Sequence, residues 1–325
     1  MLLTAVALFG LVLPACGDDG DRLTIYAGTP KAILDPMLQR ATKATGQEFD
    51  VRYGDSGALA LRLVEEGDGT PADVFLSDST GAIVDASGAG TLTALPAAIT
   101  DAVDARFRSP RADWVGLAAH VRSVVHRAGV TVPPSILDLA KPAFDGRVAL
   151  APGVASFEDF VTALRKAEGD AGALAWLVAM KEHGAKTYGD EAAAARAVDR
   201  GTADVALVDD DVHALEVVEE ADLAGTLGRF APGDVGNLVL VTSAAVTAAS
   251  DQQQLAQRFV GQLLSATGQG YLAEEALAHP LAAGARPAAG VRPLDLDDAP
   301  PVDLGGLGDL AATVRLIEQS GITGD

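Results

Sequence analysis

The stretch from Leu63 to Asp78, L-V-E-E-G-D-G-T-P-A-D-V-F-L-S-D, constrains the fold more than any other part of the chain. Ala58 to Val64 carries the spacing of the end of an amphipathic helix, and Glu65 to Pro71 breaks it with two glycines and a proline. Ala72 to Leu76 then resumes as a short apolar strand, with Ser77 and Asp78 just past its end. In an open α/β sheet, ligands lie in the crevice beyond the carboxyl ends of the strands, so Ser77 and Asp78 stand where a ligand is met. The competing role for Asp78 is to cap a helix starting near Ser79, since Asp is a favoured N-cap.

Upstream of that stretch, Leu23 to Tyr26 reads as a strand, Gly28, Thr29 and Pro30 as its exit turn, and Lys31 to Thr45 as a helix stopped by Gly46. Phe49 to Tyr53 is a second strand and Ala58 to Glu66 a second helix. This β-α-β-α-β order predicts an α/β chain with a parallel, helix-covered sheet. Further on, Trp114 to Ala119 and Arg122 to His126 read as two strand pieces around a polar kink at His120, long enough to cross between lobes. Ser135 to Ala140 is a short helix and Val148 to Ala151 a strand. Ser156 to Ala167 is a helix with Ser156 as N-cap and Glu158 and Asp159 in its first turn, where the helix dipole favours them. Helices follow at Ala171 to His183 and Glu191 to Asp199, and Val205 to Val208 is a buried strand running into Asp209, Asp210 and Asp211. Leu238 to Val241 is a returning strand, and helices follow at Gln252 to Leu264 and Gly268 to Ala278. A Pro-, Gly- and Asp-rich excursion from Arg286 precedes a last helix, Asp309 to Gln319.

With 325 residues there is chain for two cores. The formal charge of -21, from 45 acidic against 24 basic residues, argues against nucleic acid as a partner, because phosphate binding needs a basic face. Met1 to Ala15 is uncharged and too short for a bilayer span, which takes about 20 apolar residues. It reads as a secretory signal ending L-P-A-C, with Cys16, the only cysteine, where a bacterial lipobox has its acylated residue. Cys16 is therefore expected to be a membrane anchor, and the mature chain has no internal disulfide or cysteine-based metal site. No G-x-S-x-G elbow, cysteine nucleophile or H-x-x-x-H spacing is present, so an enzyme is not expected.

T-I-Y-A-G (Thr24 to Gly28), E-E-G-x-G-x-P-A-D-V-F (Glu65 to Phe75), W-V-G (Trp114 to Gly116), D-L-A-K-P-A-F-D-G-R-V (Asp138 to Val148), A-S-F-x-D-F-V-T-A-L (Ala155 to Leu164), A-L-V (Ala206 to Val208), A-Q-R-F-V (Ala256 to Val260) and H-P-L (His279 to Leu281) stand in one order. Taken in register, they resemble the ferric-iron-binding solute-binding proteins of bacterial ABC transporters. The resemblance runs through nearly all of the mature chain. It implies a two-lobed periplasmic-binding-protein (Venus flytrap) fold, each lobe a mixed sheet covered by helices. It further implies closure on iron, Fe3+, between the lobes, and delivery to permease subunits of an importer. The lobes are expected at residues 22–118 with 232–283 and at 119–231 with 284–325, after a signal at 1–16, with hinge strands near Ala118 and Ala231.

The family's iron ligands are two adjacent tyrosines after the strand matching Ala206 to Val208, often with a glutamate matching Asp78 and, in some members, a histidine matching Pro30. Here the tyrosine positions fall on Asp211 and on Val212 or a gap. Carboxylate is, like phenolate, a hard anionic oxygen ligand, so Asp78 and Asp211 are the candidate metal ligands, with Asp209 or Asp210 beside them. The family's companion anion is held by arginines, a helix N-terminus and an asparagine. Arg122 matches one arginine and His120 stands at the other, Ala155 and Ser156 lie at the helix, and Glu191 is near the asparagine position. The candidate ligand-binding set is thus Thr29, Asp78, Arg122, Ala155, Ser156, Glu191, Asp210 and Asp211, with His120 and His213 as further cleft candidates. Two other readings stay open. One is a cationic organic ligand or metal chelate, with Tyr26, Phe75 and Phe157 as the nearby aromatic faces. The other is a sensing or interaction module without small-molecule cargo.

Overall fold

A computed structural model describes residues 22–219 and 225–323. The signal segment and Cys16 lie outside the described residues. In chain order the elements are β1 (Arg22–Ala27), α1 (Lys31–Thr45), β2 (Glu48–Tyr53), α2 (Ser56–Glu66), β3 (Val74–Ser77), α3 (Thr80–Gly88), α4 (Ala97–Thr100) and β4 (Val115–His126). They continue with β5 (Val148–Leu150), α5 (Ala155–Glu182), β6 (Lys186–Thr187), α6 (Glu191–Asp199), β7 (Val205–Asp209), α7 (Asp210–Glu219) and β8 (Thr226–Gly228). The last are β9 (Val239–Val246), α8 (Gln253–Leu263), α9 (Ala266–Glu275), β10 (His279–Pro280) and α10 (Leu310–Ser320).

The strands are ordered β2-β1-β3-β9-β4-β7-β5-β6, with β8 and β10 also paired to β4. β1 is parallel to β2 and β3, and β5 is parallel to β6 and β7, so each half has the parallel core that βα units require. β9 runs antiparallel to β3, and β4 antiparallel to both β9 and β7. The result is a two-lobed α/β fold with a mixed sheet in each lobe. β4 belongs to both: Val115 to Val121 pair with β9, and Arg122 to His126 pair with β7. Its side chains are buried along almost the whole strand, as expected for one covered on both faces.

Several expectations are corrected. β4 is one continuous strand, and its irregularity is a register shift between Gly116 and Ala118 instead of a kink at His120. Ser79, not Asp78, caps α3, its hydroxyl accepting the N–H of Ala82 at 3.0 Å. Val154 is the N-cap of α5 and Ser156 lies inside the first turn. The two helices expected on either side of residue 169 form one ribbon interrupted at Gly169, whose φ of 75° only glycine enters without strain. β6, β8 and β10 are two or three residues long and carry no readable period.

Asp159, fully buried on α5, reaches α3, which packs on the other half of the sheet. Its carboxylate accepts the Ser79 hydroxyl at 2.9 Å, the Thr80 N–H at 2.7 Å and the Gly81 N–H at 2.9 Å. An aspartate thereby supplies the acceptors that the first turn of a helix lacks. A Cβ at position 81 would stand 2.7 Å from both Asp159 and Leu310, so this approach requires glycine. α10 packs along α5 and touches α3, adding a second tie between the halves.

Candidate functional site

β1 and β3 are parallel with Ala27 opposite Leu76, so Thr29 and Asp78 leave the sheet at the same edge. Gly28 lets that edge close tightly: a Cβ there would run into the Ser56 hydroxyl, and that hydroxyl accepts the backbone N–H of Asp78 at 3.0 Å. Thr242 on β9 donates to Asp78 Oδ1 at 2.6 Å, fixing the carboxylate. Thr29 is buried in the turn and Asp78 is half-buried.

In the other lobe, β5 and β7 are parallel, so the start of α5 and Asp209 to Asp211 share an edge. The three aspartates have separate surroundings. Asp209 Oδ1 accepts from Arg122 Nη1 at 2.8 Å, and Oδ2 lies 3.5 Å from His120 Nε2. Asp210 Oδ1 accepts the Val121 N–H at 2.8 Å, and Oδ2 lies 2.9 Å from Arg229 Nη2 and 3.0 Å from His279 Nε2. Asp211, half-buried, stands in the first turn of α7.

Electrostatics tie the two edges together. Burial disfavours a charged His120, but the carboxylates of Asp209, Asp211, Asp78 and Asp210 outweigh it and raise His120 to about 9. Burial pushes Asp211 up to about 8; His120 opposes the rise, and repulsion from Asp209, Asp210 and Asp78 adds to it. The charges of Asp78, past the end of β3, and of Asp211, past the end of β7, thus both act on His120, which ties the two edges together. Asp210 is lowered despite its burial, because His279, the Val121 N–H and Arg229 stabilise its charge.

Arg122 is wholly buried, and its Nη1 donates to Ser156 Oγ at 3.0 Å, to Asp209 and to Glu191. Glu191 Oε1 also accepts from Ser156 Oγ at 2.8 Å, and Oε2 accepts the backbone N–H of Asp209 at 2.7 Å. Burial pushes Glu191 above the usual carboxylate range while Arg122 pulls it back. Ala155 is half-buried beside this group.

The sequence-predicted residues therefore fall into three groups. Asp78, Asp211 and His120 share one electrostatic cluster, whereas Arg122, Ser156 and Glu191 bond to one another and Asp210 is bonded to Val121, Arg229 and His279. His213 does not join the carboxylates; its Nε2 is 3.3 Å from the Gly225 carbonyl. His279 joins them instead, and its only signal in the sequence is the H-P-L piece. Thr242, Ser56, Arg229 and Asp159 carry no distinguishing pattern. Among the described residues, no group of three or more His, Cys, Asp and Glu is arranged to hold a metal ion. Tyr26, Phe75 and Phe157 are fully buried core residues, so the aromatic faces expected for an organic cation are not presented at a surface.

Residues 23–275 match the family model described as bacterial extracellular solute-binding protein. The Fe(3+)-binding periplasmic protein of Serratia marcescens is 31% identical over 95% of this chain and 92% of its own. The major ferric iron-binding protein of Neisseria meningitidis serogroup B is 30% identical, with 95% and 94% covered. Iron-bound HitA from Pseudomonas aeruginosa superposes with a TM-score of 0.87 at 28% identity, covering 92% of this chain and 99% of that one. The chain belongs to the bacterial extracellular solute-binding proteins, in the group whose relatives are ferric-iron-binding periplasmic proteins.

Proposed function

We propose that this chain is the lipid-anchored receptor of an ABC importer of the iron class, taking a hard cation, ferric iron foremost, between its lobes. The observation that carries the reading is the placement of Asp78 and Asp211, carboxylates just past the carboxyl ends of β3 and β7, at the edge of each parallel half of the sheet where a ligand is met. Both are hard oxygen donors. Oxygen ligands from solvent, or those the ion arrives with, complete its coordination. The chain crosses between the lobes near Ala118, near Ala231 and again after residue 283, which divides it into lobes at 22–118 with 232–283 and at 119–231 with 284–325. Cys16, acylated after cleavage, holds the receptor on the outer face of the cytoplasmic membrane beside its permease. The family match and the ferric-iron-binding relatives support this role over an enzymatic one.

The test is isothermal titration of the chain from residue 17 onward with ferric citrate, alongside a variant carrying Asp78→Ala and Asp211→Ala. Saturable heat that the double variant loses supports the reading. Heat that persists unchanged in the variant moves the cargo away from these carboxylates, and a folded protein giving no heat retires iron as cargo.

A further inference from the structure

Arg122 is buried without exposed surface, and one of its nitrogens makes every hydrogen bond found for its guanidinium; Nε and Nη2 are buried and unpartnered. A fully buried guanidinium requires anionic partners close at hand. Asp209, next to it in the sheet, is one, since Arg122 and Asp209 are opposed residues of β4 and β7. The other comes from α6, a separate element: Glu191, at its first position, turns inward and is buried. First-turn acids of helices are normally solvated, where the helix dipole already favours them.

The contacts around Glu191 form a cradle for an oxyanion. Its two oxygens accept from Arg122 Nη1, the Ser156 hydroxyl and the Asp209 N–H, and they donate to nothing. Charged, neutral hydroxyl and main-chain donors converging on two oxygens are what a small carboxylate or phosphate would meet in a binding site. Ser156 adds the first turn of α5, whose N-cap, Val154, offers no side-chain acceptor.

We propose that Glu191 is a built-in anion: its carboxylate fills an oxyanion cradle made by Arg122, Ser156 and the Asp209 N–H, which excludes free anions from this part of the cleft. The site holds its charge balance covalently, and cargo enters without a free anion at Arg122. This assignment is independent of which cargo the cleft carries, because the cradle is complete within the chain.

The experiment compares the wild type with Glu191→Ala and Glu191→Gln in metal-free buffer, titrating acetate and inorganic phosphate with chloride at equal ionic strength as control. Melting temperature and calorimetric heat are the readouts. Glu191→Ala opens the cradle and takes acetate or phosphate saturably, at least about tenfold more tightly than the wild type, the scale of one charge-assisted hydrogen bond. Glu191→Gln keeps the cradle filled and so still excludes acetate and phosphate, but it removes the charge paired with Arg122 and sets an amide NH2 against one of the cradle's donors, so it melts below the wild type. If Glu191→Ala folds only with an oxyanion present and not with chloride, the assignment stands by rescue. Equal anion binding by all three proteins overturns it, as does a Glu191→Ala protein that neither oxyanion binds or rescues.

Discussion

Asp159 Oδ2 accepts the backbone N–H of Thr80 at 2.7 Å, so an aspartate on one lobe's helix caps a helix of the other. Burial pushes this carboxyl up to about 7, against the lowering effect of the Gly81, Ser79 and Thr80 donors. The clasp therefore combines a satisfied helix end with an expensive desolvation. Asp159→Ala strands two main-chain N–H groups and is expected to lower the unfolding free energy by about 1–3 kcal/mol in urea titrations. An unchanged midpoint would mean that the clasp does not hold the lobes.

The pH dependence of stability has a definite sign. His120 keeps its proton to about 9 in the fold against an ordinary 6.5, and Asp211 and Asp159 to about 8 and about 7 against 3.8. In each case the folded state holds more protons than the unfolded state between the two values, so stability falls as pH rises through that window. Glu66 and Asp104 are lowered to about 2 and act the other way only in strong acid. The melting temperature of the cargo-free protein is expected to decline from about pH 5 to about pH 9. Asp211→Asn removes one of these protons and weakens the hold on His120, so it flattens the decline. A variant with a steeper decline would contradict the assignment.

Asp210 holds together three elements through Val121, Arg229 and His279. Asp210→Ala leaves a buried imidazole and a mostly buried guanidinium unpaired, and is expected to lower the unfolding free energy by roughly 3 kcal/mol. Asp210→Asn, which retains one acceptor, is expected to fall between the wild type and Asp210→Ala. Urea denaturation followed by tryptophan fluorescence measures both, and equal stability of Asp210→Ala and the wild type would exclude the strut.

Gly28→Ala forces the Ser56 hydroxyl aside and so releases the N–H of Asp78. Cation affinity is expected to fall by about tenfold, the scale of one hydrogen bond to a group bearing charge, with a small loss of stability. Calorimetry with ferric citrate checks it. Ser56→Ala is the companion that removes the same hydrogen bond without the clash, and it should reproduce most of the loss.

Much of the fold is legible in the sequence because it is local. α6 spans Glu191 to Asp199, as its alanine-rich pattern and flanking residues indicate, and Gly46 ends α1 in the left-handed conformation expected of a C-cap glycine. The long apolar run around Val115 to His126 marks a strand that crosses the molecule. What stays hidden depends on distant pairing. Asp159 reads as an ordinary first-turn acid, yet its partner Thr80 is 79 positions away. Ser156 reads as a cap because serine favours that position, but its hydroxyl is bonded to Glu191. At the site, strand ends point to Asp78 and Asp211, whereas nothing local distinguishes Asp210, held by His279 69 positions later, from its neighbour.

A crystal structure of the iron-loaded protein, with anomalous data collected at the iron absorption edge, locates the cargo without intermediate assumptions. One strong anomalous peak is expected between the lobes, within bonding distance of the Asp78 and Asp211 carboxylates, with Glu191 still on Arg122. A peak elsewhere, or none in crystals of protein that has taken up iron, would refute carboxylate capture between the lobes.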